Sequence, residues 1–187
     1  MTKNQFKEVR SLYNLSDLIP SKVARTVKDI DFKALATNGP INVLIDLDGT
    51  LAATLSEEYE QQMIDHLLAA RKSGFIANIC VFSNTGLPFF VPRVRRIAKR
   101  LNAEYVACYW PYTMKPSRAA FQKALDKVGG TIYNTVMIGD QLYKDILGAN
   151  LIGMRSILVK TILPIPSWKR KTHERDEMLY EKLGIKF

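Results

Sequence analysis

Apolar and polar positions fall in blocks along this chain. Residues 41–45 read Ile-Asn-Val-Leu-Ile, a short run rich in β-branched side chains. Asn38-Gly39-Pro40 precedes it and Asp-Gly follows it. Bounded in that way, the run predicts a strand buried on both faces of a parallel sheet. Runs at 76–82, 105–108, 135–138 and 156–159 have the same character. Helical spacing separates them. Met63, Ile64, Leu67 and Leu68 form the stripe of a helix over about 57–72, with Thr54 and Glu57 as a candidate capping box and Ser73-Gly74 as its stop. Pro88 precedes a basic helix carrying Arg93, Arg95, Arg96, Lys99 and Arg100. Phe121, Ala124, Leu125 and Val128 mark the next helix, which Gly129-Gly130 ends. Further helices are expected over about 142–150 and 174–183. Strand alternating with helix predicts right-handed βαβ units in an α/β, Rossmann-like fold, a three-layer sandwich around a central parallel sheet.

Residues 1–40 read as a leader packed on a domain spanning 41–187. Within it, Phe6, Val9, Leu12 and Tyr13 suit one face of a short helix, Pro20 interrupts, and residues 21–27 suggest another helical turn. The 187 residues suffice for one well-packed domain, and too few remain for a second large one. No apolar run reaches the 18 residues that a membrane-spanning helix needs.

Charge adds a constraint. The net charge of +9 favours anionic partners: phosphorylated substrates, nucleic acid or an anionic membrane surface. Cys80 and Cys108 lie in apolar runs without metal-ligand spacing, which suits buried, reduced thiols in a cytoplasmic setting. Residues 1–10 lack the apolar core of a secretory signal, while Lys3, Lys7 and Arg10 against one Glu8 leave organelle import open. His66 reads as a surface or boundary histidine, since no other ligand residue type stands beside it.

The candidate chemistry sits where strands end. Asp46 and Asp48 follow the first buried run, Ser83 and Asn84 the second, and Gly139-Asp140 with Asp145 a later one. Lys115-Pro116 precedes the helix with Phe121. Open α/β sheets bind ligands beyond the carboxyl ends of their strands, so these groups converge on one edge. Taken singly, Ser83 could be a strand-end cap, Lys115 a solvated lysine and Asp145 a helix-surface carboxylate.

In order and type, these residues resemble the four motifs of the haloacid dehalogenase (HAD) superfamily. The motifs are Asp46-Leu47-Asp48-Gly49-Thr50, Ser83, Lys115, and Gly139-Asp140 with Asp145. The resemblance implies that Asp46 is a nucleophile forming an aspartyl-phosphate and that Asp48 is the general acid and base. It implies a Mg²⁺ site from Asp46, Asp140, Asp145 and the main-chain carbonyl of Asp48. Ser83, the N–H of Asn84 and Lys115 would hold phosphoryl oxygens, and Thr50 would steady the first loop. Dehalogenases of the superfamily usually lack the second aspartate, present here as Asp48. Only 32 residues separate Thr50 from Ser83 and 31 separate Ser83 from Lys115, which leaves no room for a large cap domain.

Residues 139–150, with Gly153 and 161–171 behind them, further resemble the small YqeG-like subfamily IIIA, whose relatives include phosphatidylglycerophosphate phosphatases. The chain departs from that subfamily at Gly49, where Asn is usual. The implied activity is a Mg²⁺-dependent phosphomonoester phosphatase acting on phosphatidylglycerophosphate, peripheral at an anionic membrane. Ile162, Leu163, Ile165 and Trp168 beside Lys169, Arg170 and Lys171 suit such a surface, and equally suit a Pro-rich connection packed on the domain. Two alternatives stand beside it. One is a phosphatase of a soluble metabolite, phosphoprotein or nucleic-acid end, with residues 93–100 tracking phosphates. The other is a non-catalytic HAD-like scaffold, which the intact Asp46 and Asp48 oppose.

Overall fold

The computed structural model describes residues 13–110 and 113–187. Its strands are β1 (Lys22–Ala24), β2 (Ile41–Ile45), β3 (Ile76–Gly86), β4 (Glu104–Tyr109), β5 (Thr135–Gly139) and β6 (Arg155–Val159). They pair in parallel in the order β1-β6-β5-β2-β3-β4. The chain leaves β2 in one direction towards β3 and β4, and later returns on its other side as β5 and β6. The crevice beyond the ends of β2 and β5 is therefore the switch point of the sheet, where open α/β folds place ligands.

Period-two alternation divides the core. Val43 and Ile45 of β2, with Val136 and Ile138 of β5, face helices α2 (Gln61–Lys72) and α3 (Val91–Arg100). Leu44 and Met137 face α4 (Arg118–Val128). Both faces of the central strands are thus covered, which is why they read as continuous apolar runs. Phe82 and Phe121 meet edge to face on the α4 side, their centroids 5.0 Å apart. Among the described residues, no helix is long and apolar enough to cross a membrane. Both cysteines are free and buried. Burial pushes the Cys80 thiol up to about 12, so it behaves as a small apolar group.

Several local expectations need correction. Residues 21–27 do not form a helical turn: Lys22–Ala24 extend the sheet beside β6, and Val27–Asp29 form a 3-10 turn. The Ser21 main chain and hydroxyl bond Ser156 at 3.3 and 3.1 Å, which pins the new edge. Three residues are too few to show a period, and only the open edge of β6 makes them a strand. The short helix α1 (Phe32–Leu35) follows, capped by Asp31. Of the proposed leader stripe, Phe6, Val9 and Leu12 lie outside the described residues. The α2 helix starts at Gln61, and the capping box of Thr54 and Glu57 does not form. Glu57 pairs with Arg96, and the Thr54 hydroxyl bonds Lys169. Strand β3 continues past Phe82 to Gly86, because residues 83–86 keep pairing with β4.

Beyond β5, a π-helical turn (Leu142–Ile146) leads into α5 (Leu147–Asn150), and the chain ends in α6 (Arg170–Leu183). His66 is half-buried on α2, bonded to the Ile30 carbonyl at 2.9 Å and tilted against Phe32, as a boundary residue would be.

Candidate active site

Asp46 emerges directly from β2 and Asp140 directly from β5, because the two strands run side by side in register. Asp145 follows on the π-helical turn. One carboxylate oxygen from each of the three lies within 4.8 Å of the others. All three residues are buried. Two glycines permit this approach. A β-carbon at Gly49, whose φ is +101°, would fall 2.2 Å from Asp140 Oδ2. One at Gly139 would fall 2.3 Å from Asp145 Oδ2. Gly49→Ala is therefore expected to cost about 1–3 kcal/mol of stability through backbone strain and displacement of Asp140. Thermal melts would show it.

Lys115 sits between the acids. Its ammonium donates to Asp46 Oδ1 at 2.7 Å, Asp145 Oδ1 at 2.6 Å and the Phe82 carbonyl at 2.9 Å. Burial alone pushes this lysine down, but the charges of Asp145 and Asp46 outweigh that and hold it above its ordinary value. Lys115 is thus no solvated lysine, and Asp145, fully buried, is no surface carboxylate. Asn84 clamps the loop that delivers Lys115: its side chain donates to the Lys115 carbonyl at 3.0 Å and accepts from the Lys115 N–H at 2.9 Å.

Three polar atoms around this core are orphans. Ser83 Oγ, Thr50 Oγ1 and Asp140 Oδ1 are buried without hydrogen-bond partners among the described residues. A strand-end cap would have spent the Ser83 hydroxyl on the backbone, so that reading fails for Ser83. Buried polar atoms are rarely left unpaired, and the residue of one of them, Ser83, lines the cleft that also holds Asp46 and Lys115. An all-oxygen donor set with an orphaned carboxylate oxygen fits a hard divalent cation such as Mg²⁺. Asp46, Asp140 and Asp145 would hold it. The Asp48 carboxylate stands outside this group, so any contribution from Asp48 would come through its main-chain carbonyl.

Without a cation, the acids disfavour one another's charge. Burial first, then the charges of Asp46 and Asp145, push the Asp140 carboxyl from 3.8 up to about 8, with Lys169 and the Thr161 hydroxyl pulling the other way. A raised folded-state value means that the folded chain holds a proton the unfolded chain releases. That contribution is complete below about pH 4 and is lost as pH rises through about 8. In EDTA, the melting temperature should fall across that window. Added Mg²⁺ should raise it more at about pH 8 than at about pH 5. A metal-free profile that is flat over this range would contradict the arrangement.

Sequence reasoning missed Arg93. The sequence pattern places it with the other cations of a basic, phosphate-tracking helix. Instead it is buried, and its Nη1 pairs with Asp48 Oδ1 at 2.8 Å. Its Nε donates to the Ser56 carbonyl at 2.6 Å, while the Leu55 N–H donates to Asp48 Oδ1 at 2.9 Å. These bonds draw the loop after Thr50 over the site and delay the start of α2. Of the other basic residues, Arg95 bonds the Tyr105 hydroxyl, Arg96 pairs with Glu57 and Arg100 lies over the Tyr59 ring. Nothing in the sequence separates Arg93 from these neighbours.

The segment after β6 closes one side. The Ile162 N–H donates to the Gly49 carbonyl at 2.8 Å, and the Tyr180 hydroxyl donates to the Asp140 carbonyl at 3.3 Å. The resulting cleft, of about 220 Å³, is lined by Asp46, Asp48, Ser83, Lys115, Lys144 and Lys169 among others. Between Thr50 and Ser83 lie only a loop, α2 and most of β3, with no inserted domain.

Residues 113–180 match the model of a family described as HAD-hydrolase-like. A search of curated protein sequences finds no significant match. Among solved structures, a candidate HAD-like phosphatase from Mesorhizobium loti is similar with a TM-score of 0.52 and 15% identity, over 80% of this chain and 88% of that one. An uncharacterized protein from Listeria monocytogenes serotype 4b is similar with a TM-score of 0.50 and 16% identity, over 75% and 99% of the two chains. A HAD phosphatase from Thermococcus onnurineus shares 19% identity over 59% of this chain and 50% of its own, with a TM-score of 0.46. The fold is the Rossmann-like α/β fold of HAD proteins.

Proposed function

We propose that this chain is a Mg²⁺-dependent phosphomonoester phosphatase working through an aspartyl-phosphate on Asp46. The observation that carries the reading is Lys115 bound between Asp46 and Asp145, with the orphaned Ser83 hydroxyl and Asp140 oxygen beside them. Nucleophile, cation and unspent donor thus edge one cleft. Lys115 holds Asp46 Oδ1 and so orients its carboxylate towards an incoming phosphorus. An Asp46 oxygen bonds phosphorus as the bond to the leaving alcohol breaks, and Asp48 gives that alcohol its proton. Asp48, now a carboxylate, takes a proton from water. The water oxygen bonds phosphorus, the Asp46–phosphorus bond breaks, and inorganic phosphate leaves. The Ser83 hydroxyl donates to a phosphoryl oxygen, and the Lys115 ammonium, whose three hydrogens are held by Asp46, Asp145 and the Phe82 carbonyl, supplies positive charge beside the transferring group. Mg²⁺, which Asp46, Asp140 and Asp145 would hold, would neutralise charge on the transferring group.

Arg93 fixes the Asp48 carboxylate that moves the proton. Arg93→Met should lower turnover roughly 10- to 100-fold by letting that carboxylate wander. Mg²⁺ binding measured by calorimetry should stay unchanged, since Asp48's carboxylate lies outside the metal group.

The substrate reading is phosphatidylglycerophosphate, in line with the YqeG-like resemblance. Exposed Leu55 and Trp168 line the cleft beside Lys169, which Arg170 and Lys171 follow, a composition suited to an anionic bilayer. The experiment is phosphate release with Mg²⁺ from this lipid in anionic liposomes, beside a panel of soluble phosphomonoesters, with EDTA as control. Turnover of the lipid alone supports the lipid reading. Turnover of soluble esters alone keeps the reaction and removes the membrane. No metal-dependent turnover of any ester would favour a binding scaffold.

A further inference from the structure

The last helix, α6, packs against the turn that carries two of the three clustered acids. Asp176, Leu179, Tyr180 and Leu183 follow the spacing of one helical side. Leu179 is buried with Leu142 and Ile146 of the π-helical turn and with Leu147 of α5, and Tyr180 and Leu183 pack on the same cluster. The turn bears Asp145 and begins two residues after Asp140. What α6 touches therefore bears on where both acids stand.

Polar contacts accompany this packing. The Tyr180 hydroxyl donates to the Asp140 carbonyl at 3.3 Å. One turn earlier, Asp176 Oδ2 accepts from the Leu142 N–H at 3.4 Å. Asp176 is 2% exposed, and a carboxylate so buried is costly unless its charge is used. Arg175 holds its other oxygen with two bonds, at 2.9 and 2.6 Å, and lies over the Tyr143 ring at 4.2 Å. Residues 140, 142 and 143 are thus each met by α6. Between them, the Gln141 N–H donates to Asp145 Oδ2 at 3.1 Å and the Gln141 carbonyl accepts from the Asp145 N–H at 2.9 Å. The main chain over 140–142 therefore sets both Asp140 and Asp145. Like charges brought this close repel, so they stay within reach of one cation only if the backbone bearing them is held.

We infer that Asp176 and Tyr180 are positioning residues for the cation, fixing the main chain over 140–142 so that Asp140 and Asp145 meet Asp46. The inference rests on the reading of the three acids as a Mg²⁺ group. It extends the site to a helix well beyond them in the chain.

The test is Mg²⁺ binding to the full chain, measured by calorimetry well below the melting temperature. Tyr180→Phe keeps the ring, which meets Phe187 edge to face at 5.2 Å, and removes only the hydroxyl. Asp176→Ala removes the carboxylate. Each should weaken Mg²⁺ binding roughly tenfold, the low end for outer partners of metal ligands, since both bonds are long. Asp176→Asn, whose amide oxygen can still accept from the Leu142 N–H, should recover part of the loss. The Mg²⁺ concentration for half-maximal phosphate release should rise by the same factors. Leu183→Ala is the control: it trims the same side of α6 and touches neither bond. Its metal-free melting temperature should fall while its Mg²⁺ affinity stays at the wild-type value.

Wild-type affinity in both Tyr180→Phe and Asp176→Ala would overturn the inference, leave the two as packing residues, and leave the cation group standing. Equal weakening by Leu183→Ala would also overturn it, because the effect would then belong to the helix as a whole. No Mg²⁺ binding by the wild type would overturn it together with the cation reading. Weakened binding in the two variants, with no turnover of any ester by the wild type, would uphold the positioning role and overturn the phosphatase.

Discussion

Asp46→Asn is expected to reduce phosphate release by at least about 10³-fold, since the amide cannot form the acyl-phosphate bond. The replacement nearly matches the carboxylate in shape, and its side-chain oxygen can still accept from Lys115. Asp145 also continues to hold that ammonium at 2.6 Å. The fold should therefore survive. Removing one negative charge from three clustered acids should leave the metal-free melting temperature unchanged or higher, because Asp46 is among the charges that push up Asp140 and Asp145. Phosphate release and thermal melts on the same preparation separate the two effects. Activity within tenfold of the wild type would remove Asp46 from the nucleophile's role.

Lys115→Met should damage both turnover and stability. The lysine is 4% exposed and is the direct partner of two buried carboxylates. Removing one member of such a network leaves uncompensated buried charge, at a cost of about 3–5 kcal/mol. The pH dependence has a definite sign. Lys115 itself stays charged across the neutral range, because its neighbours hold it above its ordinary value. What changes with pH is the acids. Asp140 and Asp145 are both raised, so they take up protons as pH falls. Protonation removes the repulsion that the missing ammonium no longer offsets. The stability deficit of the variant should therefore shrink from about pH 8 to about pH 5, and should also shrink with Mg²⁺. Urea melts at the two values, with EDTA or Mg²⁺, measure this directly. A deficit under about 1 kcal/mol at about pH 8 would mean that the network carries little of the fold.

Much of the frame was legible from local pattern. Residues 41–45 read as a buried strand because both faces of β2 are covered, and Asp46 follows directly from it. The α4 stripe was legible because four apolar residues at helical spacing face the sheet, with Ser117 capping its start and Gly129 its end. Errors gathered where a distant partner overrides local preference. Residues 54–60 looked like a helix start until Arg93, far along the chain, took the Ser56 carbonyl and Asp48. Residues 22–24 looked helical until β6 offered them an edge. Arg93 itself was hidden among similar cations on the same helix.

The sequence by itself determined which groups the strand ends deliver. Strand-end chemistry is local: a buried run followed by Asp, Ser or Gly-Asp delivers that group to the carboxyl edge of a parallel sheet, whatever the loops do. Only the tertiary structure decided which charges are spent and which remain available. Pairing of Lys115 with Asp46 and Asp145, of Arg93 with Asp48, and of neither Lys144 nor Lys169 with any described carboxylate, depends on distances of a few ångströms between segments remote in the chain. Electrostatic energies in a buried cleft change steeply over such distances, and residue order carries no record of them.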